Sequence, residues 1–305
     1  MATTVTAEWI AVDWGTSNLR AWAMDRGEKP LAMRESDAGM GRLKPDQFED
    51  ALLALVGGWL DEDRITNVLA CGMVGARQGW MEADYRGVPC PPAGSDALLV
   101  PGTDPRIRVS ILPGLMQEQP ADVMRGEETQ IAGYLADNPD FEGNIVLPGT
   151  HSKWVRIAGG EVVGFSTYMS GEVFGLLAKQ SVLRHSVAGD GWDADAFKSS
   201  LRESLAEPAA AMGGLFRLRA ESLLHGLAPD AARARLSGIV LGLELAAARE
   251  HWEKGPVVVI GASGLGKRYT EAIEVAGGKA EQIEGEGMTL AGLVSAYNQL
   301  YGGST

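Results

Sequence analysis

Short apolar runs and helix-spaced apolar positions alternate along the chain. Residues 9–13 and 19–24 predict two strands about a glycine-containing turn, residues 48–60 carry helical spacing, and residues 67–71 form a short strand. From 72 to 105 the pattern breaks down. That stretch, with "GVPCPPAGSD" inside it, is too long for an ordinary connection and reads as a functional insert or a set of packed loops. Residues 109–112 resume as a strand, and "RGEETQIAGYLAD" predicts a helix starting near Gly126. Residues 144–147 and 153–157 are again strands around a glycine turn. From 193 to 251 the chain is mostly helical; residues 229–252 place Leu236, Ile239, Val240 and Leu243 on one face, and Gly255-Pro256 ends the segment. A buried strand at 257–260, a helix at 269–275, a weak strand at 279–283 and a final helix at 288–300 complete an α/β alternation.

Within that pattern an echo appears. "VDWGTSNLRAW" (12–22) and "VLPGTHSKWV" (146–155) both read strand, Gly-Thr, two small or polar residues, strand. Such a turn presents backbone N–H groups and a hydroxyl to an anion, with Gly allowing close approach. Two of them on facing domains would grip one polyphosphate from both sides. Two unrelated hairpins would give the same pattern.

Composition narrows the class. With 305 residues, 45% hydrophobic and 22% charged, the chain reads as globular and long enough for two domains. No apolar run reaches the length of a bilayer span, and residues 1–9 lack the basic and apolar regions of a signal peptide, so a cytoplasmic location is expected and a membrane partner is not. A net charge of −13 without any Lys/Arg-rich block argues against nucleic acid as a partner and leaves anionic ligands to a few local donors. Cys71 and Cys90 have no metal-like spacing with the four histidines and read as core or loop thiols. "GASGLGKRY" (261–269) places Gly261, Gly266 and Lys267 at the spacing of a Walker A loop. Arg268, however, stands where that loop needs a Ser or Thr for Mg²⁺, and too little chain follows for the remaining NTPase segments.

The motifs carry a family resemblance. "DWGTSNLR" resembles the first phosphate motif of the sugar kinase, hexokinase and actin superfamily, "LPGTHSKW" its second, and "VVVIGASG" its adenosine motif. More narrowly, "CGMVGARQGWMEADYRGVPCP", "MRGEETQIAGYL", "LPGTHSKWV" and "FSTYMSGEVFGLL" in register are similar to the 2-keto-3-deoxygalactonate kinase family. The resemblance implies a two-domain α/β fold of the actin-like ATPase (ribonuclease H-like) type with a nucleotide cleft between the domains. It also implies ATP and Mg²⁺, and phosphorylation of the terminal hydroxyl of a 2-keto-3-deoxy sugar acid in galactonate catabolism.

The same resemblance assigns residues. Asp13 would hold Mg²⁺ through water, or merely cap its turn. Gly15, Thr16 and Ser17 would contact phosphate, as would Gly149, Thr150, His151 and Ser152, with Lys153 either a charge partner or a solvated strand residue. Gly261, Ala262, Ser263 and Gly264 would meet adenosine, with Lys267 and Arg268 facing solvent. Matched from its glycine to the Ser-Gly-x-Glu-Glu segment of exopolyphosphatases in the superfamily, "RGEE" puts the proton-accepting role on Glu128; first-turn carboxylates favoured by the helix dipole would leave the same signature in Glu127 and Glu128. Many sugar kinases use an Asp instead, and this chain lacks the acidic residue that other members often carry beside Gly149. For the sugar acid's carboxylate, whose geometry the planar fork of Arg matches, Arg77 with Gln78 beside it is the candidate and Arg86 and Arg125 are rivals. Trp80 and Tyr85 would pack on the substrate or lie in the core.

The expected boundaries are a first domain over 1–140 with the first phosphate motif and the substrate site, a nucleotide-binding domain over 141–285, and a helix over 286–305 packing back across the hinge. A phosphohydrolase of the same superfamily and a non-catalytic nucleotide-binding regulator remain alternatives. The oligomeric state is open, a homodimer included.

Overall fold

Trp9–Trp14 (β1) is buried at every position except Asp13, as expected of a central strand covered on both faces. It pairs antiparallel with Leu19–Met24 (β2), which pairs antiparallel with the exposed edge strand Pro30–Ser36 (β3). Phe48–Val56 (α1) turns Phe48, Leu52 and Val56 inward. On its other side β1 runs parallel to Thr66–Cys71 (β4). Tyr85–Gly87 (β5), Leu98–Leu99 (β6) and Ile107–Ile111 (β7) follow, and then the hairpin of Gly114–Glu118 (β8) and Ala121–Met124 (β9) leads into Glu127–Asp137 (α2). The computed structural model describes residues 5–302 apart from Gly27 and Ser95. Among them the first sheet has the order β3-β2-β1-β4-β7-β6, and β5-β8-β9 form a small separate sheet.

The next strands are Gly143–Leu147 (β10), Ser152–Ala158 (β11) and Glu161–Tyr168 (β12), followed by Ser170–Lys179 (α3), Ala194–Ala206 (α4), Ala211–His225 (α5), Pro229–Ala247 (α6) and Arg249–Trp252 (α7). Then come Pro256–Gly261 (β13), Ser263–Val275 (α8), Lys279–Glu284 (β14) and Gly285–Tyr301 (α9). The second sheet has the order β12-β11-β10-β13-β14, with β10 antiparallel to β11 and parallel to β13. That is the order β3-β2-β1-β4-β7 again, so the sequence echo is a topological repeat with one Gly-Thr turn closing each central hairpin. The duplicated α/β topology is the one expected of the actin-like ATPases.

By internal packing the chain divides into two units. One comprises the described residues up to Phe141, Ala158–Gly164 and the chain from Gly285 on; the other comprises Glu142–Ile157 and Phe165–Glu284. In the first, Ile10, Val12 and Trp14 of β1 meet α1 on one face, and Trp9 and Ala11 meet Leu293 and Ala296 of α9 on the other, where Trp9 stacks on Tyr297 with ring centres 3.9 Å apart. Helices α2 and α9 touch backbone to backbone: a Cβ at Gly292 would fall 1.8 Å from the Thr129 carbonyl oxygen, and one at Gly133 would fall 2.0 Å from that of Met288. In the second unit Val146, Trp154, Val257 and Val259 of the sheet pack with Phe197 and Leu201 of α4, Leu241 and Leu245 of α6 and Ile273 of α8.

Several expectations need correction. Helix α8 begins at Ser263 rather than 269, because Gly264 and Gly266, poor helix formers, blur the pattern of its first turns. Gly266 and Lys267 therefore lie within a helix, Gly266 N–H donating to the Ala262 carbonyl at 2.8 Å, and no Walker-type loop exists between β13 and α8. The last helix starts at Gly285, not 288. Strands β3, β8, β9 and β12 and helix α3 were not expected; β3 is mostly exposed and α3 has no fully buried residue, so neither shows a clean apolar stripe. Among the described residues no helix is long and apolar enough to cross a membrane.

Helix α6 lies against α4 through glycines. A Cβ at Gly238 would sit 2.4 Å from the Phe197 carbonyl oxygen, whereas one at Gly213, in the exposed first turn of α5, would meet nothing within 4 Å. Gly238→Ala should cost about 1–3 kcal/mol by forcing the two helices apart. Gly213→Ala should gain about 0.5–1 kcal/mol from helix propensity. Urea melts of the two variants should move in opposite directions.

Candidate active site

Asp13, next to last in β1, stands directly opposite Arg20 in the hairpin register, and Arg20 Nη2 donates to Asp13 Oδ2 at 2.8 Å. Burial raises the Asp13 carboxyl above its usual range, outweighing the downward pull of the Arg20 charge and hydrogen bond, and Glu286 adds to the rise. Its other oxygen, Oδ1, lies toward Gly72, which follows β4 with φ +91° and whose Cβ would stand 3.6 Å from that oxygen. At that distance a Cβ would only touch the carboxylate; the tight contact would be with the Trp14 carbonyl oxygen, at 2.9 Å. Glycine leaves the approach open.

Beside Asp13, the turn is held from behind. Gly15 N–H donates to the Asn18 carbonyl at 3.0 Å, while the carbonyls of Gly15 and Thr16 accept from Met40 N–H at 3.0 Å and Gly41 N–H at 2.9 Å. The carbonyls face this support, the Gly15 N–H is spent within the turn, and the Thr16 and Ser17 side chains stay exposed. A Cβ at Gly15 would meet only the Asn18 carbonyl oxygen, at 3.7 Å, so packing does not demand this glycine.

Glu128 enters the same neighbourhood from α2. It is 2% exposed, Oε2 accepting from Gly126 N–H at 2.6 Å and Oε1 from the Thr129 hydroxyl at 3.0 Å. Burial, with Glu127 adding to it, pushes its pKa up to about 7. Gly126, at φ +105°, lets the chain pass close to Gly72, a Cβ there lying 3.3 Å from Gly72 Cα. Cys71 lies between the two acids; burial, then Asp13 and Glu128, drive its thiol pKa well up, so it stays protonated. Asp13 and Glu128 thus share one corner of the first unit, at the carboxyl ends of β1 and β4. Glu127 faces elsewhere, accepting from Arg125 N–H at 3.0 Å.

The insert scatters its candidates. Arg77 has an 80% exposed side chain, with Nε–H on Glu82 at 3.3 Å, and Gln78 is exposed beside it. Trp80 packs against Phe48 and Trp14 at 6.1 and 6.0 Å between ring centres, half-buried at the margin of the core cluster. Tyr85 lies under Arg125, whose Cζ is 4.3 Å from the ring centre. Arg125 is 8% exposed; Nη2 donates to the Ala83 carbonyl at 2.7 Å, and Nε and Nη1 find no acceptor among the described residues. Arg86 donates to the Pro92 carbonyl at 2.6 Å and also keeps a buried, unpaired Nε.

In the second unit the Gly149 turn repeats the first. Thr150 O accepts from Glu172 N–H at 2.9 Å, and a Cβ at Gly171 would fall 2.2 Å from the Gly149 carbonyl oxygen, so the start of α3 backs the turn. A Cβ at Gly149 itself would meet only His151 backbone, no nearer than 3.8 Å. His151 Nε2 bonds Glu172 at 2.6 Å, and the buried Ser152 hydroxyl meets Tyr269 OH at 2.5 Å. Lys153 is buried and donates to the Thr167 hydroxyl at 2.8 Å, which corrects its reading as a solvated strand residue. Gly261 ends β13, Ala262 caps α8, and Ser263 and Gly264 open the helix, the last three exposed. Beside them lies an open hollow of about 70 Å³, whose lining includes Gly149, Ser170, Phe174, Val240, Leu265 and Arg268. Arg268 does not face solvent as expected; its guanidinium lies 4.1 Å over Trp192, and burial and Arg233 lower its pKa. Lys267 is exposed.

The model of the 2-keto-3-deoxy-galactonokinase family matches residues 13–296. The chain belongs to that family. It is a family of phosphotransferases, and the match spans both Gly-Thr turns, the insert and α2. A Rhizobium meliloti (strain 1021) protein named a probable 2-dehydro-3-deoxygalactonokinase is 39% identical, with 98% of this chain and 99% of the relative aligned. The Escherichia coli (strain K12) 2-dehydro-3-deoxygalactonokinase is 34% identical over 95% of this chain and 98% of its own length. A crystal structure of a Sinorhizobium meliloti protein bearing that family name superposes with a TM-score of 0.87 at 38% identity, covering 96% and 99% of the two chains.

Among the described residues no cluster of three metal-ligating side chains occurs. Mg²⁺ suits such a site, since it keeps several waters and binds through one or two carboxylates plus the phosphates it accompanies. Asp13, with one oxygen beside the bare Gly72, fits that use. Two features of a kinase site in this family were missed in the sequence. Arg20 as the partner of Asp13 was legible from the hairpin register alone; the backing of the Gly149 turn by Gly171 had no sequence signal.

The raised Glu128 pKa has a sign. The fold favours the protonated carboxyl, so stability present near pH 4.5 is lost as pH rises toward 7. Glu128→Gln, which cannot ionise, should gain on the parent by about 2–3 kcal/mol between pH 4.5 and pH 8. Denaturant melts across that range test it, and a pH-independent gap would show that Glu128 ionises as an ordinary carboxylate.

Proposed function

We propose that this protein transfers the γ-phosphoryl group of ATP to the terminal hydroxyl of 2-keto-3-deoxygalactonate, giving the 6-phosphate, as a cytoplasmic step of galactonate catabolism. The near full-length family match carries the reading, and the duplicated Gly-Thr hairpins support it. The hydroxyl oxygen forms the new bond to γ-phosphorus, the bond from phosphorus to the β-γ bridging oxygen breaks, ADP leaves, and the hydroxyl proton passes to a base. Most of the catalytic gain in such a step comes from positioning and charge neutralisation.

Gly15, Thr16 and Ser17, and Gly149, Thr150, His151, Ser152 and Lys153, are assigned to the phosphates. Gly261, Ala262, Ser263 and Gly264 are assigned to adenosine. Asp13 holds Mg²⁺ through water, and the ion supplies charge neutralisation at the phosphates. Glu128 takes the proton; a carboxyl poised near pH 7 suits a general base at neutral pH. Arg77, with Gln78 beside it, is assigned to the sugar acid's carboxylate, because among the described residues its guanidinium holds only a weak, exposed contact with Glu82; Trp80 and Tyr85 are assigned to the same substrate, Trp80 from its place against Phe48 and Tyr85 from beneath Arg125. Arg125 is the alternative, favoured by its two buried and unpaired nitrogens.

ADP release should be measured against a panel of 2-keto-3-deoxy acids. Rapid turnover on the galactonate-derived acid is expected; equal turnover without any acid would mean a phosphohydrolase, and binding of ATP without turnover a regulator. Arg77→Ala should weaken use of the acid at least tenfold with ATP binding intact, since a bidentate carboxylate contact is worth about 2–5 kcal/mol. Selective loss in Arg125→Lys instead would move the clamp there. Gly264→Val adds bulk where nothing lies within 4 Å. It should leave the melt unchanged and raise KM for ATP alone, whereas Lys267→Ala should do neither.

A further inference from the structure

Glu244 is a buried acid that the proposed chemistry does not use. It sits on α6, 3% exposed, and three elements donate to it. Trp154 Nε1 of β11 donates to Oε1 at 2.7 Å, Tyr269 OH of α8 donates to Oε2 at 2.9 Å, and the Ser170 hydroxyl at the start of α3 is a further partner. Burial raises its pKa while these three donors lower it. A carboxylate only accepts, so when Glu244 is ionised the directions are fixed: Tyr269 gives its proton to Glu244 and must accept from Ser152, 2.5 Å away. The chain runs Ser152 to Tyr269 to Glu244.

Every element tied to this carboxylate borders the hollow described above or the turn beside it. Tyr269 and Ser170 line the hollow together with Gly149. Ser152 opens β11 three residues after Gly149, and Gly171, next to Ser170, abuts the Gly149 carbonyl. Helix α6 is itself fixed, because Gly238 and Gly242 seat it on the α4 backbone. We infer that Glu244 is a positioning residue for the nucleoside triphosphate, acting through Tyr269, Ser152 and Ser170 to hold the Gly149 turn in register with the start of α8. The inference rests on the nucleotide assignment made above.

Tyr269→Phe removes the hydroxyl and keeps the ring. Binding of ADP should weaken about fivefold by calorimetry and KM for ATP should rise equally, while KM for the sugar acid stays near that of the parent; the melting temperature should fall, because buried Glu244 and Ser152 each lose a partner. Glu244→Gln can still accept from Trp154 but must donate toward Tyr269, reversing the chain; it should fall between the parent and Tyr269→Phe, and Glu244→Ala below both. Should Tyr269→Phe fail to fold, the Glu244→Gln titration decides alone. Unchanged ADP affinity in the folded variant overturns the inference, as does an equal rise in both KM values, which would mark general loosening. Failure of the parent protein to bind ADP would instead overturn the nucleotide assignment itself.

Discussion

The strand that opens each repeat, β1 or β10, is paired antiparallel with its hairpin partner on one side and parallel on the other, and the placement of the chemistry follows from that asymmetry. At β1 the antiparallel partner returns through a tight hairpin, while the parallel partner β4 ends beside it and sends its chain away. The carboxyl end of the central strand is thus flanked by a turn on one side and a diverging chain on the other, the kind of strand-order switch at which open α/β sheets bind ligands. Asp13, the Gly15 turn and Gly72 all occupy that position. β10, β11 and β13 reproduce it with the Gly149 turn and Gly261.

A polar group near such a switch must be buried without being silenced. Asp13 is kept near a cation and next to a residue without a side chain, whereas Glu128 is enclosed by helix α2 and accepts bonds from Gly126 and Thr129. The outcome is two carboxyls in one corner, both raised by burial, one reaching about 7. Environments that set paired acids apart let one site give them different roles, which the proposed division between Asp13 and Glu128 would use. The backbone contact of α2 with α9 fixes that corner, since Gly133 and Gly292 allow no slack between the helices.

How much of this was legible in the sequence depended on periodicity and local chemistry. The central hairpins were readable because β1, β2, β10 and β11 are apolar and bounded by Gly-Thr, and the start of α2 because Gly126 precedes two acids. The exposed edge strand β3 and the unburied helix α3 carry no such stripe. Glycines hid the first two turns of α8, which disguised a strand–helix junction as a loop. In the candidate site, the arginines of the insert could be named but not ranked, because exposure of Arg77 and burial of Arg125 are set by tertiary packing. Trp80 was drawn to the substrate by its neighbours in sequence and to Phe48 by its neighbours in space. Glu244 gave no sign at all: a Glu within an amphipathic helix reads as solvated until its three donors are assembled.

The proposed assignment gives the phosphates to the two repeated hairpin turns and adenosine to the β13–α8 junction. Amide hydrogen exchange with and without saturating ADP and Mg²⁺ tests it most directly. Slowed exchange at 15–17, 149–153 and 261–264 together is the predicted result. Saturated binding with unchanged exchange in all three segments, or protection centred on 266–268 alone, would contradict it.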